Sequence, residues 1–413
     1  MDKIVVTGIG TLNPAGIGAE NTFKNVLKNT SYVDFITRFD ASKYKSNVAG
    51  EIRDFIPTDY ISKRLVKKTD RFTQLALAAV QMALDDAQIN TENFDANRIS
   101  LMVGNVLGGW EFAERELRNL WSKGEEYVSP YQATAWFPTS AQGYIAIAQG
   151  IKGKARTFVA DRASSAYAVM DAVHTLNRDE ADIILVGGTE APLSPYGWLC
   201  CESSGYLSSD RSDPSRIYKP FSHEHNGMVL GEGSTFLVLE KMSHAQGRRA
   251  KIYGEIRGWG VTNDAYYPYY TQRPDGQKLA KAMKQSMNRA VVTPEDIDLL
   301  FLHGTGIPSE DATEIYAYRE VFKEDNKPVL SCPKASFGHL LGAAAVTDIM
   351  LTLLSLQKNL IPPTINLEKP AYGFDDLDFV TEQPSRQNID NAIVISRGMG
   401  GNNVSFVVGG DSS

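Results

Sequence analysis

The chain has 413 residues, which suggests two or three domains, and 43 % hydrophobic with 22 % charged residues, which excludes a mainly disordered chain, a collagen or a coiled coil. The net charge of −7 argues against binding a phosphate backbone as the main task, while leaving room for a local basic patch facing an acidic partner. Cys200, Cys201 and Cys332 form neither a disulfide framework nor a CxxC pair, so a reduced, cytoplasmic setting is expected. The first residues lack the charged and apolar blocks of a signal peptide, and no apolar run reaches the length of a membrane span.

In chain order, short apolar runs predict strands at Ile4–Thr7, Ser100–Val103, Thr157–Ala160, Ile183–Val186 and Phe236–Leu239. Further runs follow at Leu299–Leu302, Val329–Ser331, Ala392–Ser396 and Val404–Val408. Apolar residues at 3–4 spacing predict helices over Arg71–Gln88, Ser164–Asn177 and Gly276–Ala290, and Gly342–Leu356 reads as a buried core helix. Alternating strands and helices indicate an α/β chain with largely parallel, doubly covered sheets. Ile183–Val186 runs into Gly187-Gly188, and Ile393–Ser396 into the glycine-rich 398–403. This parallel suggests a duplicated unit, residues 1–250 and 251–413, in one two-lobed body.

Gly8-Ile9-Gly10 lacks the third glycine of a dinucleotide fingerprint, because position 13 is Asn, and is read as a tight strand-to-loop turn. His174, His223, His225 and His244 show no partner in sequence. His303 and His339 each follow an apolar strand among small residues, in His303-Gly304-Thr305-Gly306 and Gly338-His339-Leu340-Leu341-Gly342. Glycines there allow close approach of a substrate, so the two converge on one pocket or are ordinary capping histidines. No His, Asp or Glu stands at a familiar metal-ligand spacing. Lys334 lies five residues before His339. Asp311 and Glu314 read as charges at a helix start.

These motifs together resemble the β-ketoacyl-[acyl carrier protein] synthase family. His303-Gly304-Thr305-Gly306 with Asp311 and Glu314, Lys334 with Gly338-His339, and 398–403 carry the C-terminal half. Val6–Gly10, Thr69-Asp70-Arg71-Phe72, Gly187–Glu190 and 227–240 carry the N-terminal half. The resemblance implies the thiolase fold, with five αβαβα layers from two duplicated halves, and a dimer. It implies condensation of an acyl group with malonyl-carrier protein. A cysteine at a helix N-terminus attacks the thioester and two histidines stabilise the developing oxyanion. No cofactor is implied, since the substrate rides on the phosphopantetheine arm of the carrier protein.

The sequence departs from that pattern where the cysteine belongs. Val159-Ala160-Asp161-Arg162-Ala163-Ser164-Ser165 puts Arg162 there, and a guanidinium stays protonated and cannot accept an acyl group. A buried arginine needs compensation, from Asp161, a partner-subunit carboxylate or water. Ser164 and Ser165 are displaced from the position and read as packing residues. Arg397 and Met399 stand where Phe is usual, Ile307 where Thr is common, and Glu310 where Gly is common.

The missing cysteine is similar to the chain length factors, or ketosynthase β subunits, of type II polyketide synthases. These pair with a Cys-bearing α subunit and block a shared acyl tunnel with bulky side chains. The departures are Arg162 in place of the Gln of many members, and the retention of both His303 and His339. By this resemblance Leu107, Trp110 and Phe112 are the tunnel candidates, with Trp136 and Phe137 behind them, and Thr157–Ala160 pairs across the dimer. The implied partners are the α subunit and acyl carrier protein, with neither nucleic acid nor membrane. The alternatives are a malonyl-carrier-protein decarboxylase or atypical synthase using His303, His339 and Lys334, and a purely structural partner.

Overall fold

The computed structural model describes residues 2–269, 271–323 and 327–410. Ten strands form the path of one continuous sheet, and the short Gly16–Ile17 pairs beside the first of them: β1 (Ile4–Asn13), β2 (Ile99–Gly104), β3 (Ala155–Phe158), β4 (Ile183–Glu190) and β5 (Gly233–Lys241), then β6 (Gly254–Asn263), β7 (Leu299–Phe301), β8 (Val329–Ser331), β9 (Asn391–Gly398) and β10 (Asn402–Gly409). Their order is β3-β2-β4-β5-β1-β6-β10-β9-β7-β8. Counted from its own first strand, each half follows the order 1-5-4-2-3, so one topology occurs twice. The halves join where β1 meets β6 through Val5–Glu255 and Val6–Gly254.

Within each half one strand runs against the rest. β5 is antiparallel to β1 and β4, and β10 to β6 and β9. For β10 the cause is local: Gly398 and Asn402 are register partners, and a turn this short admits only an antiparallel return. The sheets are therefore mixed, with parallel ladders confined to β4-β2-β3 and β9-β7-β8.

Helices complete the layers. They are α1 (Arg71–Asp86), α2 (Trp110–Lys123), α3 (Gln132–Trp136), α4 (Ser140–Ala148), α5 (Ser164–Asn177), α6 (Pro195–Ser203), α7 (Gln277–Ala290), α8 (Pro308–Val321) and α9 (Ala344–Lys358). α1 and α4 cover the outer face of the first half's strands, and α7 with α8 covers that of the second. α5 and α9 pack on each other between the halves, inside the largest apolar core. The result is αβαβα. α9 is buried from Ala344 to Leu356, as a helix with sheet on both sides must be. Its Thr347, Thr352 and Ser355 hydroxyls return to carbonyls four residues earlier, which satisfies them inside the core.

Gly8 and Gly10 lie inside β1 rather than at a strand-to-loop turn. A Cβ on Gly10 would stand 2.0 Å from the Ala79 carbonyl oxygen, so these glycines let the Ala-rich α1 rest on the strand. The strand expected at Thr157–Ala160 sits two residues earlier, because the chain leaves the sheet at Val159 to enter the turn before α5. No helix among the described residues is long and apolar enough to cross a membrane.

Candidate functional site

The turn between β3 and α5 presents Arg162. Asp161 takes a left-handed φ of 51°. The Ser164 hydroxyl fastens the turn by accepting from the Ala160 N–H at 2.9 Å and donating to the Asp161 carbonyl at 2.6 Å. Ser165 Oγ accepts from the Val346 N–H of α9. Both serines thus bond to backbone, and among the described residues neither hydroxyl is hydrogen-bonded to a basic side chain.

Arg162 is buried, its side chain 1 % exposed. Its guanidinium makes a bidentate pair with Glu310, Nη1 to Oε2 at 2.8 Å and Nη2 to Oε1 at 3.0 Å. Nε donates to Asp161 Oδ2 at 3.2 Å. The compensation expected from Asp161 or a second subunit comes from Asp161 and from this chain's own α8. The two carboxylates hold the guanidinium pKa up against the opposing effect of burial.

His303 and His339 do converge. Their ring centroids are 4.7 Å apart, nearly edge to face. Backbone fixes each one: the His303 and Gly304 N–H groups donate to Glu314 at 2.8 and 3.1 Å, and the His339 N–H donates to the Val229 carbonyl at 2.8 Å. His339 Nδ1 accepts from the Leu341 N–H at 3.1 Å, which assigns its proton to Nε2. That Nε2 and both His303 nitrogens are buried with no hydrogen-bond partner. Burial first, then nearby cations including Arg162 and Lys334, holds both imidazoles well below their ordinary pKa, so both are neutral at pH 7. Two neutral rings with a free N–H are donors suited to an oxyanion. Lys334 Nζ donates to the Leu302 carbonyl at 2.7 Å and pairs with Asp348 at 2.8 Å, which keeps it charged.

Asp311 and Glu314 are buried, and do more than start a helix. Asp311 accepts from the Phe221 and Gly306 N–H groups and from His225 Nδ1, at 2.8 to 3.1 Å. His225 therefore has a partner, as does His244, which bonds Glu240 at 2.5 Å. His174 meets the Trp259 ring edge to face at 5.0 Å.

The β9–β10 turn completes the site. Gly400 and Gly401 take φ of 76° and 79°, a conformation that favours glycine. The Met399 N–H donates to Asp161 Oδ2 at 2.7 Å. Arg397, also buried, donates from Nη1 to the Glu310 carbonyl and from Nε to Asn403 Oδ1, both at 3.2 Å. Spacing alone could not reveal Glu310 as a partner, because 148 residues separate it from Arg162. Its only signal was its departure from the family pattern.

Glu190, at the end of β4, accepts from the Val106, Leu107 and Gly342 N–H groups at 2.9 to 3.1 Å, while burial pushes its pKa up to about 7. It thereby fixes the backbone entering α2. Of the tunnel candidates there, Trp110 lines an apolar groove of about 470 Å³ together with Ala113, Leu117, Trp121, Trp136 and Tyr196. Leu107 packs instead in a satellite core with Trp198 and Leu341. Phe112 is buried with the Arg115 guanidinium 4.3 Å over its ring, and Phe137 stacks on Trp136.

Cys332 is buried beneath Gly304, and burial raises its thiol pKa. Burial pushes the Cys201 thiol up to about 12, and Cys200 is exposed. Among the described residues no group of three His, Cys, Asp or Glu side chains is placed to hold a metal ion.

Comparison with known proteins identifies the family. Residues 1–245 match the N-terminal domain of β-ketoacyl synthases and residues 253–368 the C-terminal domain. The chain is 37 % identical over 406 residues to the tetracenomycin polyketide synthase ketoacyl synthase beta subunit of Streptomyces glaucescens, covering 98 % of each chain. It is 35 % identical to 3-oxoacyl-[acyl-carrier-protein] synthase 2 of Staphylococcus aureus strain N315, covering 98 % of this chain and 97 % of that one. A ketosynthase solved with its type II polyketide synthase acyl-carrier protein and bound to the hexaketide superposes with a TM-score of 0.91 at 26 % identity, over 99 % of both chains. The ishigamide ketosynthase/chain length factor gives 0.90 at 27 %, again over 99 % of both. The architecture is that of the thiolase-fold ketosynthases.

Proposed function

Since the chain belongs to the β-ketoacyl synthase family and is close to ketosynthase β and chain length factor subunits, we propose that it is a chain length factor, a subunit without its own nucleophile that pairs with a Cys-bearing ketosynthase. The observation that carries this is the buried Arg162–Glu310 pair at the nucleophile position. A guanidinium saturated by two carboxylates has no lone pair to offer a thioester.

Three further features support the reading. First, β3 pairs only with β2 among the described strands, so its outer edge is free to pair with another chain. Val159 and Ile147, 60 % and 80 % exposed, are the apolar side chains a partner would cover. Second, the groove beside α2 suits a growing acyl chain. Trp110, Ala113 and Leu117 recur at helical spacing on one face, and Trp110 packs on Trp136 and Tyr196 at 5.9 and 4.9 Å between centroids. Large side chains at its end would limit how far a chain extends. Third, Lys63, Arg64 and Lys67 are exposed and without an ion-pair partner among the described residues, a patch complementary to an acidic carrier protein.

A second reading is favoured by one observation: the unpartnered nitrogens of His303 and His339 are the donors that decarboxylation of a malonyl thioester needs. Reconstitution separates the two. The chain alone, and co-purified with a Cys-bearing ketosynthase, receives acyl- and malonyl-carrier protein, and products and adducts are followed by mass spectrometry. Elongation only in the mixture, with acyl adduct only on the partner's cysteine, is expected. Acylation of this chain, or carbon dioxide released by it alone, would overturn the assignment.

A further inference from the structure

Arg162 and Glu310 depart from the family pattern, and they face each other across the two halves. Around them runs a network that ends on the β9–β10 turn. Asp161 Oδ2 is shared between Arg162 Nε and the Met399 N–H. The Ser396 hydroxyl donates to the Arg162 carbonyl at 3.3 Å. Arg397 grips the Glu310 carbonyl, and Asn403, which Arg397 also holds, donates to Asp264 at 2.8 Å. Gly400 is tied by its N–H to the Tyr269 carbonyl at 2.8 Å. Both arms of the turn are therefore fastened to the Arg162–Glu310 pair. The space served by the histidines is shut: His303, His339 and Arg162 are each at most 1 % exposed.

We propose that Arg162 and Glu310 are an internal lock, which pins the Met399–Gly401 turn and keeps a carrier-borne thioester out of this chain's own two-histidine pocket. The proposal rests on the family assignment of that pocket and is independent of the groove and of chain length. Loss of the cysteine would by itself leave an open, substrate-binding pocket. A decoy pocket would compete with the partner's site for loaded carrier protein. Filling the nucleophile position with a paired guanidinium removes that competition. Neutral replacement of both members removes the lock without leaving either one as an unpaired buried charge.

The test uses the double variant R162M/E310M in the full chain, with two readouts that need no activity. Diethyl pyrocarbonate modifies neutral imidazole, and peptide mass spectrometry locates the adducts. In the unaltered chain the exposed His223 is modified while His303 and His339 are not. In the double variant His303 and His339 gain at least tenfold in modification rate, and the Met399 and Gly400 amides exchange hydrogen at least tenfold faster. A folded double variant with both histidines and the turn still protected would overturn the lock. If the double variant fails to fold, R162M/E310Q decides, since glutamine at 310 keeps the shape of the glutamate without its charge and the guanidinium is still removed. Faster exchange at Met399 supports the lock and unchanged protection overturns it. Failure of either leaves the chain-length assignment standing, because product length is not measured.

Discussion

Removing one member of the Arg162–Glu310 pair should cost far more than removing both. Arg162→Met leaves Glu310, 4 % exposed at its side chain, with no guanidinium paired to its carboxylate. Glu310→Met leaves Arg162 with Asp161 alone and withdraws a carboxylate that also stabilises the charge on Arg397. Breaking a buried pair typically costs about 3–5 kcal/mol, whereas replacing it by apolar side chains of similar volume is often neutral. A chain of 413 residues has a melting entropy of roughly 0.9 kcal/mol/K, so each single variant should lose about 3–6 °C in Tm. Glu310→Met should lose the more. The double variant should fall within about 2 °C of the unaltered chain, a coupling of several kcal/mol. Differential scanning calorimetry at fixed protein concentration reads all four. Additive losses, with the double variant melting lowest, would refute the idea that the two residues act as one unit.

Other outcomes follow from the same geometry. Burial pushes Asp70 and Glu190 up to about 7 and Glu314 up to about 8, so the folded chain holds protons there that the unfolded chain has released. The depressed His303 and His339 act oppositely, but only below the unfolded histidine pKa of about 6.5. Stability should therefore fall as pH rises from 6.5 to 8, and Asp70→Asn should flatten the lower part of that slope in a series of thermal melts. Trp110→Ala should lengthen the product of the reconstituted pair and Ala113→Trp should shorten it, both read by mass spectrometry; unchanged products would remove this groove from the tunnel. Arg162→Cys alone should not restore condensation, because Glu310 would be left buried opposite an uncharged thiol and Arg397 and Met399 remain; robust activity in that variant would refute the reading. A Cβ at Gly260 would meet the Ala282 carbonyl oxygen at 1.8 Å, so Gly260→Ala should cost on the order of 2 kcal/mol or more through displacement of α7, seen as a lower Tm.

Local pattern carried most of the framework. The apolar runs that became β2, β4 and β8 are dense enough to read directly, and Ser164–Asn177 has the bounds its spacing predicts. β6 escaped because Gly258, Gly260 and Arg257 interrupt its apolar residues. Its glycines make sense only once α7 is seen resting on them. His303 and His339 were legible as a pair through their small neighbours, yet their meeting depends on β7 and β8 lying side by side. Asp161 was legible as a partner of Arg162 because it is its neighbour, but Glu310 and the partners of His225 and His244 were not, since ion pairs are set by tertiary placement rather than spacing. The i, i+4 pair of His244 with Glu240 is the exception that helical spacing should have revealed, and it was hidden because the helix begins between the two. In the groove, Trp110 was found by bulk, while Ala113 and Leu117 needed the helix axis to bring them onto its face.

The open rim at β3 has a consequence for the life of the chain before assembly. In the chain by itself, Val159 and Ile147 face water beside the unpaired outer edge of β3. Copies made in excess would seek any strand available, including one another. On the proposed assignment the protein should therefore persist in proportion to the supply of a ketosynthase that covers this edge, with surplus copies precipitating or being degraded. Production in one-to-one ratio with the proposed partner would then follow from the exposed edge as much as from the chemistry.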